Sequence, residues 1–319
     1  MLGLLLAVVL LVAGAALLTA GAEAFAENVT GASARLGVSV LALALLLAGA
    51  EPEEAITAML ASGQGHPALA AGDAVGANLV ILTLTLGLAA LVTRLPVSRR
   101  ALQYGVASAV LGAIAWLFLL NGVLSRLEGA VLVLLYVAGV VLVWRREQEP
   151  PMIGEMTELE GKDEDVAPDD AATGRALLLV LAGVLGMVAG GALAVRGAEE
   201  LVDAVHVGES VVGLTILALA TSAEMVALVW AARRRGLTEV VVAGTVGAVA
   251  YNATVTLGLA ALVSPLGLGR HNVILDIAAV TAVLPLVLLL ARRSGHLPKA
   301  VGFCLVVAYV AAVGWLFAR

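Results

Sequence analysis

Glu53 and Glu224 lie near the middle of two long apolar stretches, where a charged group needs a reason to be. A carboxylate at that depth of a membrane segment is expensive, so it faces a cavity and serves a substrate or a proton pathway. Two such groups that converge have three chemistries open to them. They can hold a cation between them, they can carry protons, or they can act together as general acid and general base. The last of these needs a nucleophile or metal ligands close by. The sequence shows neither, which leaves an intramembrane hydrolase as a remote alternative.

The two glutamates are related by a repeat. Residues 37–92 align without a gap on residues 208–263 at a constant offset of 171, and the alignment ends in eight identical residues, Thr85–Val92 against Thr256–Val263. The alignment sets Glu53 on Glu224, and Gly21-Ala22-Glu23 is echoed by Gly197-Ala198-Glu199. Both acids sit where a helix is expected to break. Gly49-Ala50-Glu51-Pro52-Glu53-Glu54 places Pro52 in the first turn of a new half-helix, where its missing N–H costs nothing and acids favour the positive dipole end. Ala220-Thr221-Ser222-Ala223-Glu224 lacks the proline but offers two hydroxyls. Carbonyls freed just before Pro52 would then become cation ligands alongside Glu53. At about 100° per residue, Glu51 and Glu54 are expected to point away from the Glu53 face. Asp73 and Asn78 rank lower, because their repeat partners are Gly244 and Val249.

The elements that position these residues are membrane spans. Of 319 residues 61% are hydrophobic and 13% charged, which excludes an ordinary water-soluble domain. Ten apolar runs are long enough to span: 2–20, 36–62, 70–93, 101–121, 127–144, 176–196, 208–232, 238–264, 271–291 and 298–318. The expected fold class is all-α integral membrane, ten transmembrane helices in two inverted five-helix repeats with broken helices 2 and 7 at the binding site. The domains are a first repeat over 1–144, an acidic linker over 145–175 and a second repeat over 176–319. An odd number of helices per repeat inverts the second copy. The basic residues require the same: of 18 Lys and Arg, only Arg126, Arg196, Arg270 and Arg319 fall on one side, which places both termini outside and the linker in the cytoplasm. The linker reads as a solvated acidic stretch with no Ca2+-loop spacing. Cys304 reads as a small apolar residue, and His66, His206, His271 and His296, all in loops, receive no chemistry.

These residues resemble the cation/calcium exchanger superfamily, which includes sodium/calcium and calcium/proton antiporters. The stretches that carry the resemblance are Ala48–Glu53, Leu219–Glu224, Gly76-Ala77-Asn78 and Gly247–Asn252. The resemblance implies that Glu53 and Glu224 coordinate the transported ion and that Asn252 occupies a polar position of the eighth helix. With Thr221, carbonyls near Gly49 and Ala220, and water, these would approach the roughly 6 to 8 oxygens that Ca2+ takes. Gly49 and Ala50 stand where sodium/calcium exchangers have Thr-Ser, Ala77 and Ala248 where they have Ser, and Ile81 where they have Asn. Sodium sites therefore look depleted. The expected function is a secondary active antiporter exchanging Ca2+ for H+ by alternating access, with a Na+/Ca2+ exchanger, or a monovalent Na+ or K+/H+ antiporter, as alternatives. The resemblance further implies that helices 1 and 6 slide across a core of helices 2, 3, 7 and 8. The expected partners are Ca2+, a counter-transported H+ or Na+, and the lipid bilayer. Nothing points to an enzyme, a resident cofactor or nucleic acid.

Overall fold

The structure, a computed structural model, describes residues 2–36, 51–97, 99–147, 170–223, 225, 238–268, 273–291 and 295–318. It is built mainly of helices, the one open-ended structure in which a chain in hydrocarbon satisfies its own backbone. They are α1 (Leu2–Leu36), α2 (Pro52–Gly63), α3 (Pro67–Leu79), α4 (Leu86–Val92), α5 (Arg99–Leu119), α6 (Arg126–Glu147), α7 (Asp170–Val205), α8 (Glu209–Val212), α9 (Ala218–Thr221), α10 (Thr238–Tyr251), α11 (Leu257–Val263), α12 (Val273–Ala291) and α13 (Lys299–Ala318). Five stretches among the described residues are long and apolar enough to cross a membrane: Gly3–Phe25, Pro67–Val92, Gly174–Val205, Gly244–Val263 and Lys299–Ala318. The polarity is that of a protein dissolved in lipid. Leu5, Leu134 and Leu178 are more than half exposed, whereas Glu54, Asp73 and Asn252 are fully buried.

α1 and α7 run well past the apolar runs 2–20 and 176–196, to 35 and 36 residues. Hydropathy marks where lipid ends, whereas a helix continues while its residues favour it, and Ala, Glu and Leu follow both runs. The two helices lie antiparallel against each other. A Cβ on Gly14 would meet Gly190 O at 2.8 Å, and one on Gly21 would meet Gly183 O at 2.7 Å. Small residues seven apart thus let the two backbones touch, as membrane packing without a hydrophobic driving force requires.

The hydropathy pattern does not announce the π-helical segments found among the described residues, Val80–Thr85 between α3 and α4, Gly213–Leu217 between α8 and α9, and Asn252–Thr256 between α10 and α11. One threonine in each turns back on the helix. Thr83 donates to Leu79 O, Thr215 to Val211 O at 2.6 Å and Thr254 to Ala250 O at 2.5 Å. Such back-bonding competes with the helical ladder and eases its local widening.

Positions 171 residues apart make equivalent contacts, in each case to partners that lie 173 residues apart. Among the described residues, the two-residue strands β1 (Leu95–Pro96), β2 (Val123–Leu124), β3 (Leu266–Gly267) and β4 (His296–Leu297) pair crosswise, β1 with β4 and β2 with β3, both antiparallel. Gly87 packs on Gly302 and its counterpart Gly258 on Gly129. Val97 N–H donates to Gly295 O at 2.8 Å, and its counterpart Leu268 N–H to Gly122 O at 3.0 Å.

Candidate functional site

α2 begins where the sequence places a half-helix. Pro52 lies in its first turn and Glu51 is its N-cap, non-helical at φ −109° and ψ 78°. Glu53 and Glu54 follow, and all three glutamates are buried. The Glu51 carbonyl accepts from the backbone N–H of Glu54 (3.1 Å) and of Ala55 (3.2 Å), which ties the acidic turn together. Thr57 Oγ1 donates to Glu53 O at 2.7 Å.

Three hydrogen bonds join acids before the linker to polar residues after it. Ser222 Oγ donates to Glu54 Oε1 at 2.6 Å, Asn252 Nδ2 to Glu51 Oε2 at 3.2 Å, and Thr221 Oγ1 to Asp73 Oδ1 at 3.2 Å. Helix breaks place all three partners. α9 ends at Thr221, the chain leaves the α-helix at Ser222 (φ −81°, ψ 8°), and Asn252 opens a π-helical segment. Thr256 Oγ1 donates to Asn252 Oδ1 at 2.8 Å, which aims the amide N–H group at Glu51. The counterpart of Asn252 is Ile81, and Thr85, the counterpart of Thr256, is buried with no partner for its hydroxyl among the described residues.

Asp73 reaches the site because α3 lies almost backbone to backbone on the segment from α8 to α9. A Cβ on Gly72 would meet Ser210 O at 2.9 Å, and one on Gly76 would meet Leu214 O at 2.5 Å. Two carboxylate oxygens, Glu54 Oε2 and Asp73 Oδ2, are buried and accept no hydrogen bond among the described residues. Beside the acids, Tyr136 and Tyr251 meet edge to face at 5.6 Å in an apolar cluster with Ala55 and Val140. The donors gathered here are carboxylates, hydroxyls and an amide, a hard set that suits Ca2+, Na+ or a proton and not a soft metal.

Of the residues the sequence singles out, Glu53, Thr221 and Asn252 are buried in this region, and Ala220 stands in the last turn of α9. Gly49 and Glu224 lie outside the described residues. Glu51 and Glu54 also bond into this region, each from its own direction. The rotation of about 100° per residue does not apply to Glu51, whose backbone is not helical. For Glu54, protein surrounds α2, so another of its faces meets the break at Ser222. Asp73 likewise joins the site without a symmetric partner. An acid in an otherwise apolar run was its one signal in the sequence. Asn78 lines a small cavity with Thr281 and Ala282.

The family described as sodium/calcium exchanger protein matches residues 1–145 and 175–318, which is nearly the whole chain on both sides of the acidic stretch. The chain belongs to the sodium/calcium exchanger family. It is thereby an integral membrane protein of the cation/calcium exchanger superfamily that its motifs resemble. The chain is 28% identical to the Inner membrane protein YrbG of Escherichia coli (strain K12), over 98% of each protein. It is 24% identical to the Putative antiporter CaxA of Alkalimonas amylolytica, over 82% of each. Among solved structures, the fold is similar to that of the sodium-calcium exchanger NCX_Mj soaked with 10 mM Na+ and 10 mM Sr2+, with a TM-score of 0.58, 23% identity, and coverage of 98% of this chain and 96% of that one.

Proposed function

We propose that this exchanger moves Ca2+ against H+ across the cell membrane, on ten transmembrane helices arranged as two inverted repeats, 1–144 and 176–319. Both termini lie outside, and the linker 145–175 is cytoplasmic. The observation that carries the reading is the set of four buried acids, Glu51, Glu53, Glu54 and Asp73, three of them hydrogen-bonded across to Asn252, Ser222 and Thr221. Glu53 with Glu224, Asn252, Thr221 and the carbonyls of Gly49 and Ala220 would hold the divalent ion. When the ion leaves, its two charges are replaced by two protons on the same carboxylates, so the low-dielectric site is never left with bare like charges.

Proton coupling is favoured over sodium coupling by a replacement of donors. The sequence lacks hydroxyls or amides at Gly49, Ala50, Ala77, Ala248 and Ile81, and it carries carboxylates at Glu51, Glu54 and Asp73 that accept protons. Sodium coupling is the second reading, favoured by the family description and by the fold shared with NCX_Mj. Alternation of access is assigned to the α1–α7 pair. Its glycine-lined contact makes one rigid body able to slide across the helices that hold the site. The crosswise strand pairs and the antiparallel course of α1 and α7 support the inverted arrangement.

The test is Ca2+ flux into proteoliposomes under an imposed pH or Na+ gradient. Flux driven by the pH gradient and abolished by Glu53→Gln and by Glu224→Gln is the expected result. Flux that requires Na+ selects the second reading, and no Ca2+ flux under either gradient overturns both in favour of monovalent exchange.

A further inference from the structure

His66 carries no metal-ligand spacing in the sequence, yet the fold gives both of its ring nitrogens a partner. Nε2 lies 2.9 Å from Glu199 Oε1 on α7, and Nδ1 lies 2.9 Å from Glu209 Oε1 at the start of α8. The backbone beneath the ring is held on both sides. Gly65, at φ +93°, ends α2 with the left-handed turn that glycine adopts without strain. His66 N–H donates to Ala61 O at 2.9 Å, and His66 O accepts from Ala70 N–H at 3.0 Å as α3 begins. The imidazole is thus a fixed post on the α2–α3 corner, and its two carboxylate partners sit on two other elements.

Proton counting gives this arrangement a direction. A neutral imidazole has one N–H and can donate to one carboxylate; its other nitrogen then turns a lone pair toward the second. Both short contacts are satisfied together when the trio holds one more proton than a neutral imidazole with two carboxylates. All three side chains are about one third exposed, so bulk water reaches that proton. Among the described residues, Glu199 and Glu209 are the ionisable groups in ion-pair contact with the ring. The other charged groups on elements around it are Arg196, Glu200, Asp203 and His206 on or just past α7, Asp276 on α12, and Asp73 deeper on α3, where it is bonded to Thr221. α2 brings only the uncharged Gln64 close to the corner.

We propose that His66, Glu199 and Glu209 form a proton-operated latch at the outer end of the bundle. When protonated it ties the α1–α7 pair to the α2–α3 corner and to α8, and so holds the present arrangement; when it loses the proton, α7 is released to slide. The proposal rests on the mobility of the α1–α7 pair proposed above, and it is independent of which ions are exchanged. The proton count sets the direction: acid supplies the proton that both contacts need together, and alkali removes it. The latch would slow turnover when the outer solution is acidic.

The test reads position rather than transport. In a Cys304→Ser background, spin labels at Gln64→Cys and Val205→Cys, both exposed, report the distance from the corner to the end of α7 in lipid nanodiscs without transported ion. Between pH 5.5 and 8.5 the short-distance population is expected to fall about three- to fivefold relative to the long one, the scale of a partly exposed charged contact. His66→Gln should give the alkaline distribution at every pH, and Glu199→Gln should shift the distribution the same way. A distribution that does not move with pH, or a His66→Gln protein that responds as the parent does, overturns the latch. A protein that carries no Ca2+ still gives this result, so failure of the transport reading and failure of the latch remain distinct.

Discussion

Replacing Gly76 by alanine should impair this protein more than its single added methyl group suggests. The new Cβ would stand 2.5 Å from Leu214 O and 2.7 Å from both Leu214 Cα and Ala218 Cβ, where 3.4 Å is ordinary contact. The two backbones would have to separate by about 0.9 Å, and overpacking of this kind costs about 1–3 kcal/mol. The strain falls on the site. Asp73 is one turn from Gly76, Thr221 is one turn from Ala218, and their hydrogen bond is already 3.2 Å long. Two other glycines calibrate the effect. A Cβ on Gly112 would come within 3.2 Å of Ala282 Cα, a misfit of a few tenths of an ångström, and one on Gly139 would meet nothing within 4 Å. Thermal unfolding midpoints of the purified protein should therefore rank Gly139→Ala at or above the parent, Gly112→Ala slightly below it and Gly76→Ala lowest. Ca2+ flux through folded Gly76→Ala protein should fall about tenfold, equivalent to about 1.4 kcal/mol. A Gly76→Ala protein with the parent's midpoint and flux would refute the close crossing and its link to the site.

The bond from Ser222 to Glu54 predicts coupling. Glu54→Gln and Ser222→Ala should each weaken Ca2+ binding, measured by calorimetry, and the double variant should lose less than the sum by about 1.5–3 kcal/mol, the range for a buried bond to a charged group; additive losses would contradict the contact. Ser62 Oγ lies 2.8 Å from Ala260 O and 3.1 Å from Ser264 O, fastening the end of α2 to the end of α11. Ser62→Ala should lower the unfolding midpoint at a cost of about 1 kcal/mol and leave the dependence of flux on Ca2+ concentration unchanged; a change in apparent Ca2+ affinity would show that this fastening reaches the site.

Much of this molecule is legible along the chain, because lipid imposes strict rules. A spanning helix must be long and apolar, and a carboxylate inside one is conspicuous, so Glu53, the half-helix at Pro52 and the repeat at an offset of 171 stand out with no knowledge of contacts. Asn252 and Thr221 were legible through family motifs. What the chain alone could not show is which face of a helix meets which neighbour when protein lies on every side. Glu51 and Glu54 join the site because the breaks at Ser222 and Asn252 lie opposite them, and Asp73 because glycines bring α3 onto the segment before α9. The π-helical turns escape a hydropathy pattern, since they alter the ladder by a residue without altering polarity. His66 meets Glu199 and Glu209 across sequence separations of 133 and 143 residues, and only tertiary structure, which closes such distances, made that pairing.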